Sequence, residues 1–491
     1  MDIEYDLVIV GAGPSGLALA HCCSVLPNFK ILIIEKSHNI GGCHRVNRVK
    51  YQEEKLFTEH GPRIYSSTYK NFDTLLRDMG TSFVDLFTPY DFQIGTVGGQ
   101  TVFSTLTITE LLNLTYQFIC LLFNENYGKY RNMMTYMMDA NYSQDAMDLI
   151  DRICRLSDGG NMHNFSLHEF LQTINQQLLY TIYQPKKPMD TSVLPLWEKY
   201  LKKRGVTILC DTTVTKFHRG YGKIESCDIK GEITKNVRSK RFVIATPPVN
   251  LVNIIKGSDI KDAFGDFNVL SKWSKDTDYI EYISVVFHWD HKLTLPKVYG
   301  FPKSDWGVAF IVLSDYMPFT EKTSKTVIST AVTITDKKSR HSGKTANQCK
   351  TKEEIIDEVF LQLKEGFPDL VKPTIAVMTP NNYYDKNEKS WESLDTAFIP
   401  AYNTGFIPFK SHKYNNLYNL GTHNGKSIYK FTSLESAVSN AIYLACEMFP
   451  VLSRKYSVES TIDLRHVIFY LILMILIIII IYIMFRSMRQ N

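Results

Sequence analysis

Gly11, Gly13 and Gly16 stand in the spacing G-x-G-x-x-G within VIVGAGPSGLALA, a pattern suited to holding a dinucleotide pyrophosphate. Gly11 permits a tight turn, Gly13 leaves the backbone bare where the phosphates must approach, and Gly16 lets a helix lie close on a strand. Pro14 and Ser15 fall inside the same loop. The free N–H groups and dipole at the start of the following helix favour an anion. About 20 residues on, Glu35 ends a second strand-like run, KILIIEK, where a carboxylate accepts hydrogen bonds from ribose hydroxyls. It also repels a 2′-phosphate, which disfavours NADP. Lys36 beside it is assigned to the same site.

A second glycine pair, Gly41-Gly42, follows in NIGGCHR with Arg45 close behind. This segment resembles that of the flavin-containing amine oxidases, protoporphyrinogen oxidases, phytoene desaturases and UDP-galactopyranose mutases, with Cys43 where those families carry an arginine. The run FTEHGPRIY, with Gly61, Pro62 and Arg63, resembles the E-x-G-P-R stretch of protoporphyrinogen oxidases and, less closely, the G-P-H-I-F stretch of the mutases. Two later runs are similar to family strands: CDTTVTKFH, whose Val214 corresponds to a valine at the adenine, and FVIATPP, which re-enters the nucleotide domain. Near the end, LYNLGTHNGKSIYKFTSLESAVSNA resembles the closing motif, in which Gly421, Thr422 and a helix start carrying Glu435 and Ala437 reach the flavin. His423 replaces the acidic residue of that motif. The resemblance implies FAD as cofactor. It is expected to be noncovalent, because the closing loop has no cysteine to bond it.

These residues need particular elements to carry them. The apolar run LVIV, the glycine turn, an apolar-periodic helix and ILII read as the start of a doubly wound sheet. The fold class expected is α/β: a doubly wound, Rossmann-type FAD-binding domain with an inserted α+β substrate domain and a C-terminal transmembrane helix. The FAD-binding domain is assigned residues 1–81, 191–265 and 413–450. A mainly helical substrate region covers 82–190 and a β-rich one 266–412, with a linker at 451–466 and the span at 467–485. In the helical region, ELLNLTYQFICLLF (Glu110 to Phe123) reads as a core helix too short to cross a bilayer, with a membrane-facing place as its alternative. Helices are also expected at Glu353–Glu365 and Ser433–Met448, and a polar surface loop from Asp336 to Thr351.

The charge of +5, from 55 basic and 50 acidic residues, shows none of the basic clustering of a nucleic-acid binder, so no nucleic-acid partner is expected. Nine cysteines without a C-x-x-C pair imply neither a disulfide framework nor a metal site. Val467 to Phe485 reads VIFYLILMILIIIIIYIMF, uncharged and long enough to span a bilayer. Arginines flank it at both ends, and Tyr470 and Tyr482 sit at its interfaces. The expectation is a single-pass, tail-anchored protein whose N-terminal body faces the cytosol.

The function expected is an FAD-dependent oxidoreductase that takes a hydride from an organic substrate to flavin N5 and is re-oxidised by dioxygen. The substrate is a small molecule, and the anchor suggests a lipophilic one. No catalytic residue is assigned. The strand YISVVFHW lacks the lysine that amine oxidases place near the flavin; His288 and Trp289 on it are either cavity-lining or core, as are Trp391, Tyr429 and Phe431. Two alternatives stand: a flavin-dependent isomerase resembling UDP-galactopyranose mutase, and a non-catalytic FAD-binding membrane protein.

Overall fold

The computed structural model describes residues 4–59, 61, 63–90, 93–95, 102–232, 234–279, 282–295, 298–300, 304–399, 405–427 and 432–488. Its centre is a five-stranded parallel sheet of β1 (Leu7–Val10), β2 (Ile31–Ile34), β3 (Thr207–Leu209), β4 (Phe242–Ile244) and β5 (Leu417–Asn419), in the order β3-β2-β1-β4-β5. The unbroken apolar runs of β1 and β2 suit strands covered on both faces. Leu7, Ile9, Ile31 and Ile33 point to one side, under helices α1 (Pro14–Cys23) and α2 (Leu434–Met448). Val8, Val10, Leu32 and Ile34 point to the other, where they meet Leu251, Ile255 and Trp273 of the helices at Pro248–Gly257 and Phe267–Asp276. From β1 the chain builds outward to β2 and β3, then returns to add β4 on the opposite side. This reversal opens a crevice at the carboxyl ends of β1 and β4, the position where such sheets bind ligands.

Strands at Thr213–Arg219, Ile224–Lys230 and Lys235–Ser239 form an antiparallel layer, with Glu4–Tyr5 pairing along its edge. Thr207–Leu209 is an edge strand of the five-stranded sheet rather than part of this layer. A six-stranded sheet is centred on Ile283–Trp289 and Thr326–Val332 and covered by the helix Lys352–Gly366. The region 82–190 contains four main helices, Ile108–Phe123, Met133–Asp139, Gln144–Asp158 and Leu167–Leu178. It also begins and ends in short strands: Phe87–Pro89 and Ile182–Pro185 pair with each other, and the latter with Tyr65–Ser66.

The segment read as a linker, 451–466, is docked on the body. Tyr456 is buried and donates its hydroxyl to Asp78 Oδ2 at 2.7 Å, and the Glu459 N–H donates to Asn71 Oδ1 at 2.8 Å. Helix α3 (Leu464–Met488) follows. Its most apolar 18-residue window has a mean hydropathy of 3.3 with no part buried, and the helix is long and apolar enough to cross a membrane.

Candidate dinucleotide site and the pocket beside it

The glycine loop meets the crevice as β1 ends. Gly11 has φ +110°, and a Cβ there would lie 2.4 Å from the Ala245 carbonyl oxygen at the end of β4. A Cβ on Gly16 would lie 2.1 Å from the Gly11 carbonyl oxygen, so this glycine lets α1 fold back on its own loop. Gly13 differs: the nearest atom to a Cβ would be Gly42 Cα at 3.8 Å, so nothing in the protein needs this residue bare. Pro14 opens α1 with no side-chain cap and no acidic residue in the first turn. Among the described residues, the N–H groups of Gly13, Ser15, Gly16 and Gly42 have no hydrogen-bond partner. That leaves a cluster of orphan donors at a helix N-terminus.

Glu35 is buried at the end of β2, where its two oxygens accept from the Ala12 N–H at 2.8 Å and the Ser37 N–H at 2.9 Å. Lys36 is exposed on the same turn. Gly41 and Gly42, at φ +118° and +55°, bring the second glycine loop onto the first: the Gly41 N–H donates to Ala12 O at 2.8 Å, and a Cβ on Gly42 would stand 2.9 Å from Gly13 Cα. Arg45 is buried behind this loop. Its guanidinium donates to Asp395 at 2.5 Å and to the Asn39 carbonyl at 3.3 Å, with Glu35 3.9 Å away. Asp395, which sequence reading missed, is held in turn by Asn381. Its separation of 350 residues from Arg45 leaves no local signal to find it by.

The run Phe57–Tyr65 forms one wall of a small cavity. His44, Glu59, Arg63, Tyr65, Gln184 and Tyr316 are among its lining residues. Arg63 donates to the Cys43 carbonyl, which ties this run to the second glycine loop, and its own carbonyl accepts from Gln184 at 2.8 Å. Gly61 lies against the Tyr282 ring, 3.1 Å from where a Cβ would be; Pro62 lies outside the described residues. Burial pushes the Glu59 carboxyl up to about 7, against the opposing pull of Arg63. Glu59 is the glutamate of the E-x-G-P-R stretch itself, so the motif was the signal available for it.

In the closing motif, Gly421 follows β5. Its N–H donates to Asn424 Oδ1 and its carbonyl accepts from Asn440 on α2, both at 2.8 Å. Thr422 stands 3.5 Å from the Thr432 hydroxyl. His423 turns into the core against Trp273 and Phe398 and bonds Asn419, and burial pulls its imidazole down to about 3. Ala437 is buried in the first turn of α2, while the Glu435 carboxylate is committed elsewhere: it accepts from the Asn71 N–H, the Asn71 side-chain amide and the Phe72 N–H. Val214 is packed with Val10, Ile34 and Ile244 at the carboxyl edge of the sheet.

His288 is a satisfied core residue, bonded to Ser324 and the Phe57 carbonyl and pulled down to about 4 by burial. Trp289 and Trp391 donate to the carbonyls of Val371 and Cys349 inside the same core. Tyr429 and Phe431 lie outside the described residues.

A family model for NAD(P)-binding Rossmann-like domains matches residues 9–79, the segment that carries both glycine loops. The UDP-galactopyranose mutase of Mycoplasma genitalium is 33% identical over 104 residues, spanning 18% of this chain and 25% of that protein. Solved structures match over far more of the chain. Putrescine oxidase superposes with a TM-score of 0.64 at 12% identity, covering 92% of this chain and all of that one. The chain has the oxidase fold. Cyclohexylamine oxidase from Brevibacterium oxydans agrees, with a TM-score of 0.61 at 13% identity over 91% of this chain and 100% of its own. So does a provisionally named protoporphyrinogen oxidase from Exiguobacterium, at 0.59, 13% identity, 91% and 99%. The resemblance read in the glycine motifs is therefore borne out at the level of the fold.

Proposed function

We propose that this chain is an FAD-dependent oxidoreductase held to a membrane by α3. The observation that carries the reading is the group of orphan N–H donors at Gly13, Ser15, Gly16 and Gly42, facing a crevice in which Gly13 is bare for no internal reason. The fit to FAD is good. Those donors suit a pyrophosphate approached from both glycine loops, and Glu35 suits the ribose. When bound, FAD supplies the redox chemistry by accepting a hydride from an organic substrate, with dioxygen as re-oxidant.

The protein's own part is to bind, orient and exclude water. Arg45, locked between Asp395 and Glu35, fixes the second glycine loop to the substrate region. Glu59, balanced near neutrality by burial, is a group that can hold or release a proton at the wall of the cavity. Arg63 sets its electrostatics. The test is an absorption spectrum of the purified full-length protein, followed by anaerobic mixing with amines, porphyrinogens and polyprenyl compounds. Flavin bleached by one class establishes the oxidoreductase and its substrate group; protein that neither carries nor takes up FAD overturns the reading.

The local kinship with a UDP-galactopyranose mutase favours a second reading, a flavin-dependent isomerase. It differs in one measurable way: such an enzyme works with reduced flavin and converts its sugar nucleotide with no net oxidation.

A further inference from the structure

Helix Ile108–Phe123 is apolar on two faces: Leu111, Leu114, Phe118 and Leu121 pack on the helical core beneath it, and a second apolar row faces away from it. Glu110, Asn113 and Gln117 are bonded on the inner side. Buried Glu110 accepts from the N–H groups of Thr107 and Ser143, both at 2.6 Å; Gln117 accepts from the Tyr127 hydroxyl at 2.5 Å, and Asn113 from the Tyr136 hydroxyl at 2.6 Å. The second apolar row faces outward. Ile108, Leu112, Tyr116, Ile119 and Phe123 recur at the spacing of one helical face and are all exposed, from 44% at Ile119 to 88% at Phe123. Thr115, on the same side, folds its hydroxyl back onto the Leu111 carbonyl. An apolar stripe of this length on a water-facing helix marks an interaction surface.

What covers it is indicated by its neighbour. The root of α3 is fixed to this part of the molecule: the Leu464 N–H donates to Asn175, Tyr180 donates to the Ile462 carbonyl, and Arg465 lies 3.6 Å from Glu125, two residues past the end of the stripe. Leu179 and Ile462, both exposed, extend the apolar surface around that root. We propose that the Ile108–Phe123 stripe is immersed in the surface of the lipid bilayer that α3 crosses, so that the body lies on the membrane by this face. The inference rests on the reading of α3 as a membrane span. Burial of the stripe in the acyl boundary adds to anchoring in proportion to its area, as for interfacial helices, and fixes how the body sits on the membrane.

The test places a tryptophan reporter in the full-length protein, reconstituted into phosphatidylcholine vesicles whose acyl chains are unbrominated, brominated near the headgroup, or brominated near the bilayer centre, the last of these being the quencher for a reporter within the span. The reporters are Phe123→Trp on the stripe, Leu112→Trp as a second stripe position, Ile477→Trp within α3, and Tyr221→Trp on the wholly exposed hairpin turn of the nucleotide domain. The five native tryptophans are buried in the body and give a common background, subtracted with the unsubstituted protein. The expected result is blue-shifted emission that the brominated lipid quenches at Phe123→Trp and Leu112→Trp, quenching at Ile477→Trp, and none at Tyr221→Trp. Quenching at Ile477→Trp alone overturns the stripe proposal and leaves the anchor standing. A blue shift at the stripe without quenching means that protein, such as a second copy, covers it, and overturns the proposal too. Loss of quenching at Ile477→Trp removes the anchor reading, and the stripe proposal with it.

Discussion

Three glycines of one motif do different things, and substitution separates them. At Gly16 a methyl group would stand 2.1 Å from a carbonyl oxygen, so Gly16→Ala must push α1 off its loop, at a cost of about 1–3 kcal/mol typical of overpacking. At Gly13 the space is open to 3.8 Å, so Gly13→Ala is expected to fold with an unchanged melting temperature yet bind FAD at least about tenfold more weakly, a loss of about 1.4 kcal/mol. Flavin titration followed by fluorescence, set beside thermal melting, checks both. Glu59 titrates with a defined sign. Its carboxyl rises from the ordinary 4.5 to about 7 in the folded protein, so the protonated form favours folding. That contribution is fully present below about pH 4.5 and is lost as pH rises through about 7. Melting profiles across this range should flatten in Glu59→Gln, though only in part, since burial raises Glu435 over the same interval. Gly11 and Gly16 were legible because each answers a backbone need, and Gly13 because the spacing of the motif places it. The state of Glu59 was not, because it depends on burial by distant strands.

Contacts between elements were the least legible. Both edges of α2 and the strands β1 and β2 follow from periodicity and capping: Ser433 caps α2, as its placement before an apolar run suggests. Nothing local says that Glu435 reaches to the start of the helix Lys70–Asp78, or that Arg45 meets Asp395 across 350 residues. Helix Ile108–Phe123 shows the limit most clearly. Its apolar residues all read as core; Leu111, Leu114, Phe118 and Leu121 are core, but the row Ile108, Leu112, Tyr116, Ile119 and Phe123 is turned outward while Glu110, Asn113 and Gln117 are bonded inside. The Glu435 contact gives the prediction at this scale. Its carboxylate satisfies two backbone N–H groups at the first turn of the helix Lys70–Asp78 and the Asn71 side chain besides. Glu435→Ala strands these buried donors, and the expected destabilisation is about 2–4 kcal/mol, read as a lower denaturant midpoint. Glu435→Gln keeps one acceptor oxygen and should lose less than half as much.

At the scale of the molecule, the body and the root of α3 are one assembly, since Tyr456, Glu459 and Leu464 all bond back onto the body before α3 departs. On the proposed reading of α3 as a membrane span, the strength of its insertion sets what is needed to release it. Each leucine or isoleucine at the centre of a span contributes about −0.3 to −0.6 kcal/mol and each arginine costs about 2.5–3.5 kcal/mol. With a mean hydropathy of 3.3 over its most apolar window and no charge between Val467 and Phe485, the span gains roughly 8 kcal/mol on this scale. Ile477→Arg alone therefore leaves the protein in the membrane pellet after an alkaline carbonate wash. Leu473→Arg, Ile477→Arg and Ile481→Arg together cost about 9 kcal/mol, cancel the gain and move the protein to the supernatant. The released triple variant should keep its full flavin content, because none of these three side chains is buried against the body and none approaches the glycine loops. A variant that left the membrane and lost its flavin together would mean that the span supports the nucleotide domain, contrary to a fold in which that domain closes its own core with α1 and α2.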